Sequence, residues 1–93
     1  MSEVFDRLKQ NGQAACVAVR TIPKLLAAGR INQAKRRQLA EAIERNRREI
    51  DMIALELSDA ESRALDLAGK ISGIWATLGE MVADADQDMR RVA

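Results

Sequence analysis

Histidine and tyrosine are absent from the 93 residues, cysteine and proline occur once each, at Cys16 and Pro23, and aromatic residues make up only 2%. Without histidine the chain lacks the commonest general base and the commonest metal ligand available at neutral pH. One cysteine excludes an intramolecular disulfide, and a thiolate metal site would need further chains, so a reducing, cytoplasmic setting is expected. Uncharged stretches such as Ile71 to Gly79 are too short to cross a bilayer, and the opening MSEVFDRLK carries no signal-peptide core. Membrane insertion, and secretion by that route, are therefore not expected.

What the chain does contain points to helices. Hydrophobic residues make up 47% and charged residues 31%, the proportions of a folded chain. With so few aromatics, the core must be aliphatic and alanine-rich, which suits helix packing better than a sheet. The expected fold class is all-α, in a single domain spanning residues 1–93. A chain of this size sits near the lower limit for a self-sufficient core, so help from oligomerisation is anticipated.

Apolar residues follow a seven-residue rhythm in two blocks. The first, about 3–28, has the seam Phe5, Leu8, Gly12, Ala15, Val19, Ile22 and Leu26. Pro23 removes one helical hydrogen bond, so a kink near residues 21–24 is expected, with Thr21 as the cap of a restarted turn. Gly29 reads as the left-handed residue closing the helix, and Asn32 as the N-cap of the next, with residues 29–32 forming the turn.

The second block has the seam Leu39, Ile43, Asn46, Ile50, Ile53, Leu57, Ala60, Ala64, Leu67, Ile71, Ile74, Leu78, Met81 and Ala85. Its alternation of three and four never breaks, which predicts one continuous helix over about 33–91, on the order of 85 Å long. The alternative is a break at 57–61, where Ser58 and Glu61 have capping-box spacing, giving a compact three-helix bundle. The residues of that turn include neither glycine nor proline, which favours continuity.

A continuous rod would leave its C-terminal half uncovered, so the seam from Leu39 to Met81 is expected to mediate self-association. Ala68, Trp75, Val82 and Met89 widen the stripe beside it, which suits a four-helix-type dimer. Residues 1–48 carry eleven basic and four acidic groups, and residues 49–93 four basic and ten acidic. That asymmetry favours antiparallel pairing, with close approach at Ala60 and Ala64. Asn46, polar within the seam, reads as a selector of register.

Few residues suggest chemistry. Cys16, between Ala15 and Val17, reads as a buried structural cysteine with nothing to activate it. Asp84 with Asp88, and Asp59 with Glu61, are carboxylate pairs outside any calcium-binding loop pattern. Gly69, Gly73 and Gly79 lack the lysine and hydroxyl of a phosphate-binding loop and read as sites of close helix approach. No catalytic residue, cofactor or metal is expected.

Two surfaces remain. Trp75, Val82 and Met89 are candidate partner-binding residues, because tryptophan and methionine are enriched where proteins meet, although burial of Trp75 within the protein's own oligomer is the favoured reading. Lys35, Arg36, Arg37, Arg45, Arg47 and Arg48 are candidates for contact with nucleic acid or an acidic partner. The segment AKRRQLAEAIERNRRE is similar, in its arginine content alone, to the arginine-rich helices of some RNA-binding peptides. Glu41, Glu44 and Glu49 interrupt that basic run, and no aromatic side chain is at hand to stack on bases.

The resulting expectation is a non-enzymatic protein-interaction module, acting as a homodimer and serving as an adaptor or as an inhibitor of a larger machine. Its alanine- and arginine-rich usage suggests a bacterial or phage genome. The alternative expectation is a nucleic-acid binder using the basic face of residues 35–48.

Overall fold

The computed structural model describes residues 3–29 and 31–92, with side chains described as far as residue 88. Among them are three helices and no strand: α1 (Glu3–Ala28), α2 (Gln33–Glu56) and α3 (Ser62–Val92). The all-α class is thus established, as a bundle measuring 51 × 18 × 17 Å.

The turn between α1 and α2 forms as its residues dictate. Gly29 has φ of 66°, a conformation that costs other residues a clash at Cβ, and its amide returns to the Leu26 carbonyl at 3.2 Å. The Asn32 side-chain oxygen accepts the Lys35 amide at 2.8 Å and so caps α2. Helix α1 runs through Pro23 without interruption. Thr21 is not a cap, since its hydroxyl donates back to the Val17 carbonyl within the same helix.

Continuity between the second and third helices is overturned. Leu57 leaves α2 in an extended conformation with φ of −80° and ψ of 143°, while its side chain stays buried in the core. The turn over residues 58–61 closes by the Glu61 amide donating to the Ser58 carbonyl at 2.9 Å. Glu61 Oε1 in turn accepts from the Ser58 hydroxyl at 2.9 Å and the Ser58 amide at 3.4 Å. These side-chain bonds supply what glycine or proline would otherwise provide.

Folding back is favoured because it covers the apolar stripe of α3 within one chain. At about 25 cal/mol per Å² of apolar surface removed from water, that burial far outweighs the few hydrogen bonds lost at the break. The core comprises Leu8, Ala15 and Ile22 from α1, Ile43, Ile50, Ile53 and Leu57 from α2, and Ala68, Ile71, Trp75, Leu78 and Val82 from α3.

Contacts along the bundle fix its directions. Ile43 lies 3.6 Å from where a Cβ on Gly79 would sit, and Ser72 donates to Asp51 at 2.9 Å, so α2 and α3 are antiparallel. Arg7 reaches both Glu49 and Glu56 while Asn11 reaches Asn46, so α1 and α2 are antiparallel too. Helices α1 and α3 consequently run parallel, and they approach closely at Gly12. A Cβ there would lie 3.2 Å from Ile71 Cδ1.

The phase of α3 also differs from expectation. Its buried row is Ala68, Ile71, Trp75, Leu78 and Val82, whereas Leu67 is 48% exposed and Ile74 and Met81 are only partly buried. Ile71 and Leu78 of the expected seam are buried, but Ala68, Trp75 and Val82, expected to be accessory, take the inward places of Leu67, Ile74 and Met81. Helix α1 differs likewise. Val4, Leu8, Asn11, Ala15, Ala18 and Ile22 face inward, while Phe5 and Val19 are exposed.

Candidate interaction surface

Asn11 is a polar residue in the middle of an apolar row, and it joins all three helices. Its Nδ2 donates to the Asn46 backbone carbonyl of α2 at 3.0 Å, and its Oδ1 accepts from the Trp75 indole Nε1 of α3 at 2.7 Å. Asn11 is 5% exposed and Trp75 3%, so the bond between them is shielded from water and costly to lose, while the bond to Asn46 is partly buried. The Asn46 side chain bonds back to its own helix, at the Ala42 carbonyl, so it is the backbone of Asn46 that ties the core.

Above this network lies an apolar groove between α1 and α2. Its walls include Ala14, Val17, Ala18 and Leu25 from α1 and Leu39 and Ala42 from α2; Ile22, Ile43, Asn46 and Trp75 line its depth. Val17 is 61% exposed and Leu25 45%. The groove exists because α1 presents alanine where a bulkier residue would close it. Ala14 and Ala18 touch the core without filling the space towards Leu39 and Ala42.

The residues expected to form an intermolecular seam are distributed differently. Ile43, Ile50, Ile53, Leu57, Ile71 and Leu78 are buried within the single chain. Leu39, Asn46, Ala64, Ile74 and Met81 are half-buried, and Ala60 and Leu67 are exposed. The rod stripe that called for a dimer is therefore covered within the single chain, by α2 folding back against α3 and by α1. Trp75 and Val82, expected at a partner interface, lie in the core, and the Met89 side chain lies outside the described residues.

The basic face is also dispersed. Arg36 is buried, with Nε donating to Asp86 at 3.2 Å and Nη1 to the Ile31 carbonyl at 2.8 Å, so it fastens one end of the bundle. Arg47 grips Glu44 at 2.7 Å and Asp51 at 3.1 Å, and Arg48 reaches Glu44 at 3.2 Å. The hydrogen bond from Arg47, aided by Arg48, holds the Glu44 carboxyl below its ordinary pKa. Lys35, Arg37 and Arg45 have no ion-pair partner among the described residues. Arg30 lies outside them.

Other features carry less. Cys16 is exposed, which corrects its expected burial: its neighbour Ala15 takes the inward position, one helical step away. Leu55 and Met52 are exposed, at 80% and 55%, as an isolated pair on α2. Glu61 Oε2 is buried without a hydrogen-bond partner beside the turn. Among the described residues there is no group of three or more Cys, Asp or Glu side chains placed to hold a metal ion, and no helix long and apolar enough to cross a membrane.

The groove itself was not legible in the sequence, and neither was Asn11. The only signal for Asn11 is its position three residues after Leu8 and four before Ala15, on the row that continues to Ile22. Compared with protein-family models, curated proteins and solved structures, the chain matches none.

Proposed function

We propose that the chain is a non-enzymatic protein-interaction module whose docking surface is the groove between α1 and α2. One observation carries this reading: Val17 and Leu25 stand exposed beside Leu39 and Ala42, over a floor that is already rigidly built. Contiguous apolar surface of this kind, open to solvent, marks sites of protein contact. A concavity between two helices takes a third helix, with side chains at i, i+3 or i+4, and i+7 seated between the ridges. An adaptor, or an inhibitor that occupies a larger protein's helix, would work through such a surface without chemistry of its own.

The test is selection of peptides from a random helical library against the native chain, followed by counter-screening on Val17→Glu/Leu25→Glu. Both positions are exposed, so this variant retains the helical circular-dichroism spectrum. The proposal expects selected sequences to carry an apolar i, i+3/i+4, i+7 stripe and to lose binding to the variant. Selected peptides that bind the variant equally well would remove the groove from consideration.

A second reading, nucleic-acid contact, draws on the unpaired Lys35, Arg37 and Arg45. It is the weaker one, because Arg36 is buried and Arg47 and Arg48 are engaged by Glu44. Absence of binding to mixed DNA and RNA at low salt would dispose of it.

A further inference from the structure

We infer that the occupant of the α1/α2 groove is a single amphipathic helix of another protein whose apolar stripe is flanked by aspartate or glutamate. The inference rests on the docking role proposed above and adds the partner's charge. From Ala14 to Leu25 the groove extends for roughly 16 Å, about three turns of a docked helix.

The surroundings are cationic. Residues 14–25 contain Arg20 and Lys24 and no acid. Lys24 lies three residues after Thr21 and so adjoins the groove wall along α1, whereas Arg20, two residues from Ala18, lies on the far side of that helix. On α2, Lys35 precedes Leu39 by four residues and so continues the opposite wall, whereas Arg45 shares another face of that helix with Glu41 and Glu44. Lys24 and Lys35 have no ion-pair partner among the described residues. The two acids between Lys35 and Arg45 are Glu41 and Glu44, and Glu44 is held by Arg47 and Arg48. A helix with basic flanks would meet like charge at Lys24 on one wall and Lys35 on the other, whereas acidic flanks would complete both open pairs.

The same charges argue against a second copy. A two-fold dimer through this groove would place the patch against itself and oppose cation to cation. Within a second copy, acid-flanked apolar side chains occur at Met52 and Leu55 beside Asp51 and Glu56, and the dilution series below tests that occupant. Glu80 and Asp84 continue a row through Gly73 and Thr77, which offers no large apolar side chain to the groove.

The test uses two synthetic helical peptides of roughly fourteen residues, about four turns, with identical leucine positions, one flanked by glutamate and one by lysine, plus a scrambled glutamate peptide. Binding to the full chain is followed by Trp75 emission and by backbone amide shifts. The glutamate-flanked peptide is expected to bind at least about tenfold more tightly than the lysine-flanked one at low salt, with the gap narrowing as salt screens the pairs. In Lys24→Glu/Lys35→Glu the order should invert. The salt series on the native chain decides the matter should that variant fail to fold.

Equal affinity for the two peptides, or preference for the lysine peptide, overturns the acidic partner while leaving the docking groove standing. Equal binding of the scrambled peptide also overturns it, because charge alone would then suffice. Dilution-dependent shifts confined to groove amides would make the occupant a second copy. Failure of both leucine peptides to move Trp75 or any groove amide contradicts the docking role itself.

Discussion

The Trp75 indole donates a 2.7 Å hydrogen bond to the Asn11 side-chain oxygen across the α1/α3 contact, and Asn11 passes the connection on to the backbone of α2 at Asn46. This chain of bonds fixes the rotation of all three helices about their axes. It also places the one tryptophan beneath the groove.

Asn11→Ala should therefore strand the indole N–H and the Asn46 carbonyl, destabilising the fold by about 2–3 kcal/mol. Trp75→Phe, which removes the N–H but keeps an aromatic ring, should cost about 1–2 kcal/mol. Because each substitution abolishes the same bond, the double variant should lose less than the two singles together. Urea denaturation of the four proteins is the check, and strict additivity would mean that the bond contributes nothing.

Helix α1 needs a glycine where it meets Ile71, whereas Gly73 on α3 has open space where a Cβ would lie. Gly73→Ala should raise stability by about 0.5–1 kcal/mol through helix propensity alone. Gly12→Ala receives the same gain but must displace Ile71 Cδ1, so its net effect should fall below that of Gly73→Ala. Shortening the obstacle with Ile71→Val should restore the difference. Thermal unfolding of the single and paired variants would show it.

The turn over residues 58–61 is held by two side chains, which makes the choice between a folded bundle and a rod adjustable. Ser58→Ala/Glu61→Ala should destabilise the monomer by roughly 1–2 kcal/mol, as expected for a lost cap. Extending the change to Ser58→Ala/Asp59→Ala/Glu61→Ala gives the segment strong helix propensity throughout. This variant should populate an elongated, domain-swapped dimer containing a helix about 85 Å long. Small-angle scattering separates that species from the 51 Å bundle.

Glu44 titrates below its ordinary value because Arg47, and secondarily Arg48, hydrogen-bond its charged form. A folded-state pKa lower than the unfolded one contributes stability above the unfolded pKa and loses it as pH falls through the folded value. Glu44→Gln should therefore lower stability slightly above the unfolded pKa, neutral pH included, and leave it almost unchanged in acid, flattening that part of the pH profile. Side-chain carboxyl shifts recorded by NMR should give Glu44 a midpoint below the ordinary glutamate value, moving back towards it in high salt.

Local signals in the sequence carried the ends of the helices well. Gly29 and Asn32 each mark a boundary through their own backbone chemistry, which needs no knowledge of distant residues, whereas the like signal of Ser58 and Glu61 was outweighed by the unbroken apolar rhythm. The rotation of α3 was not readable in this way. Leu67, Ile74 and Met81 are as apolar as Ala68, Trp75 and Val82, and both rows obey the same spacing. Which row turns inward depends on the partner, and Ala15 and Gly12 of α1 admit the tryptophan. The unbroken rhythm through Leu57 thus reflected two overlapping rows, not a single rod. The basic run was misleading for a related reason: composition counts Arg36, Arg47 and Arg48 as cations, but the fold engages all three with carboxylates. The groove depends on how far α1 and α2 stand apart, a distance that no single helix encodes.

The docking role is tested most directly by recording amide spectra of the isotope-labelled chain during titration with the glutamate-flanked leucine peptide. Shifts concentrated on residues 14–25 and 39–46, with the Trp75 indole resonance moving alongside them, are the predicted result. Shifts scattered over the outer face of α3, or none while the peptide binds, would contradict the assignment of the α1/α2 groove as the working surface.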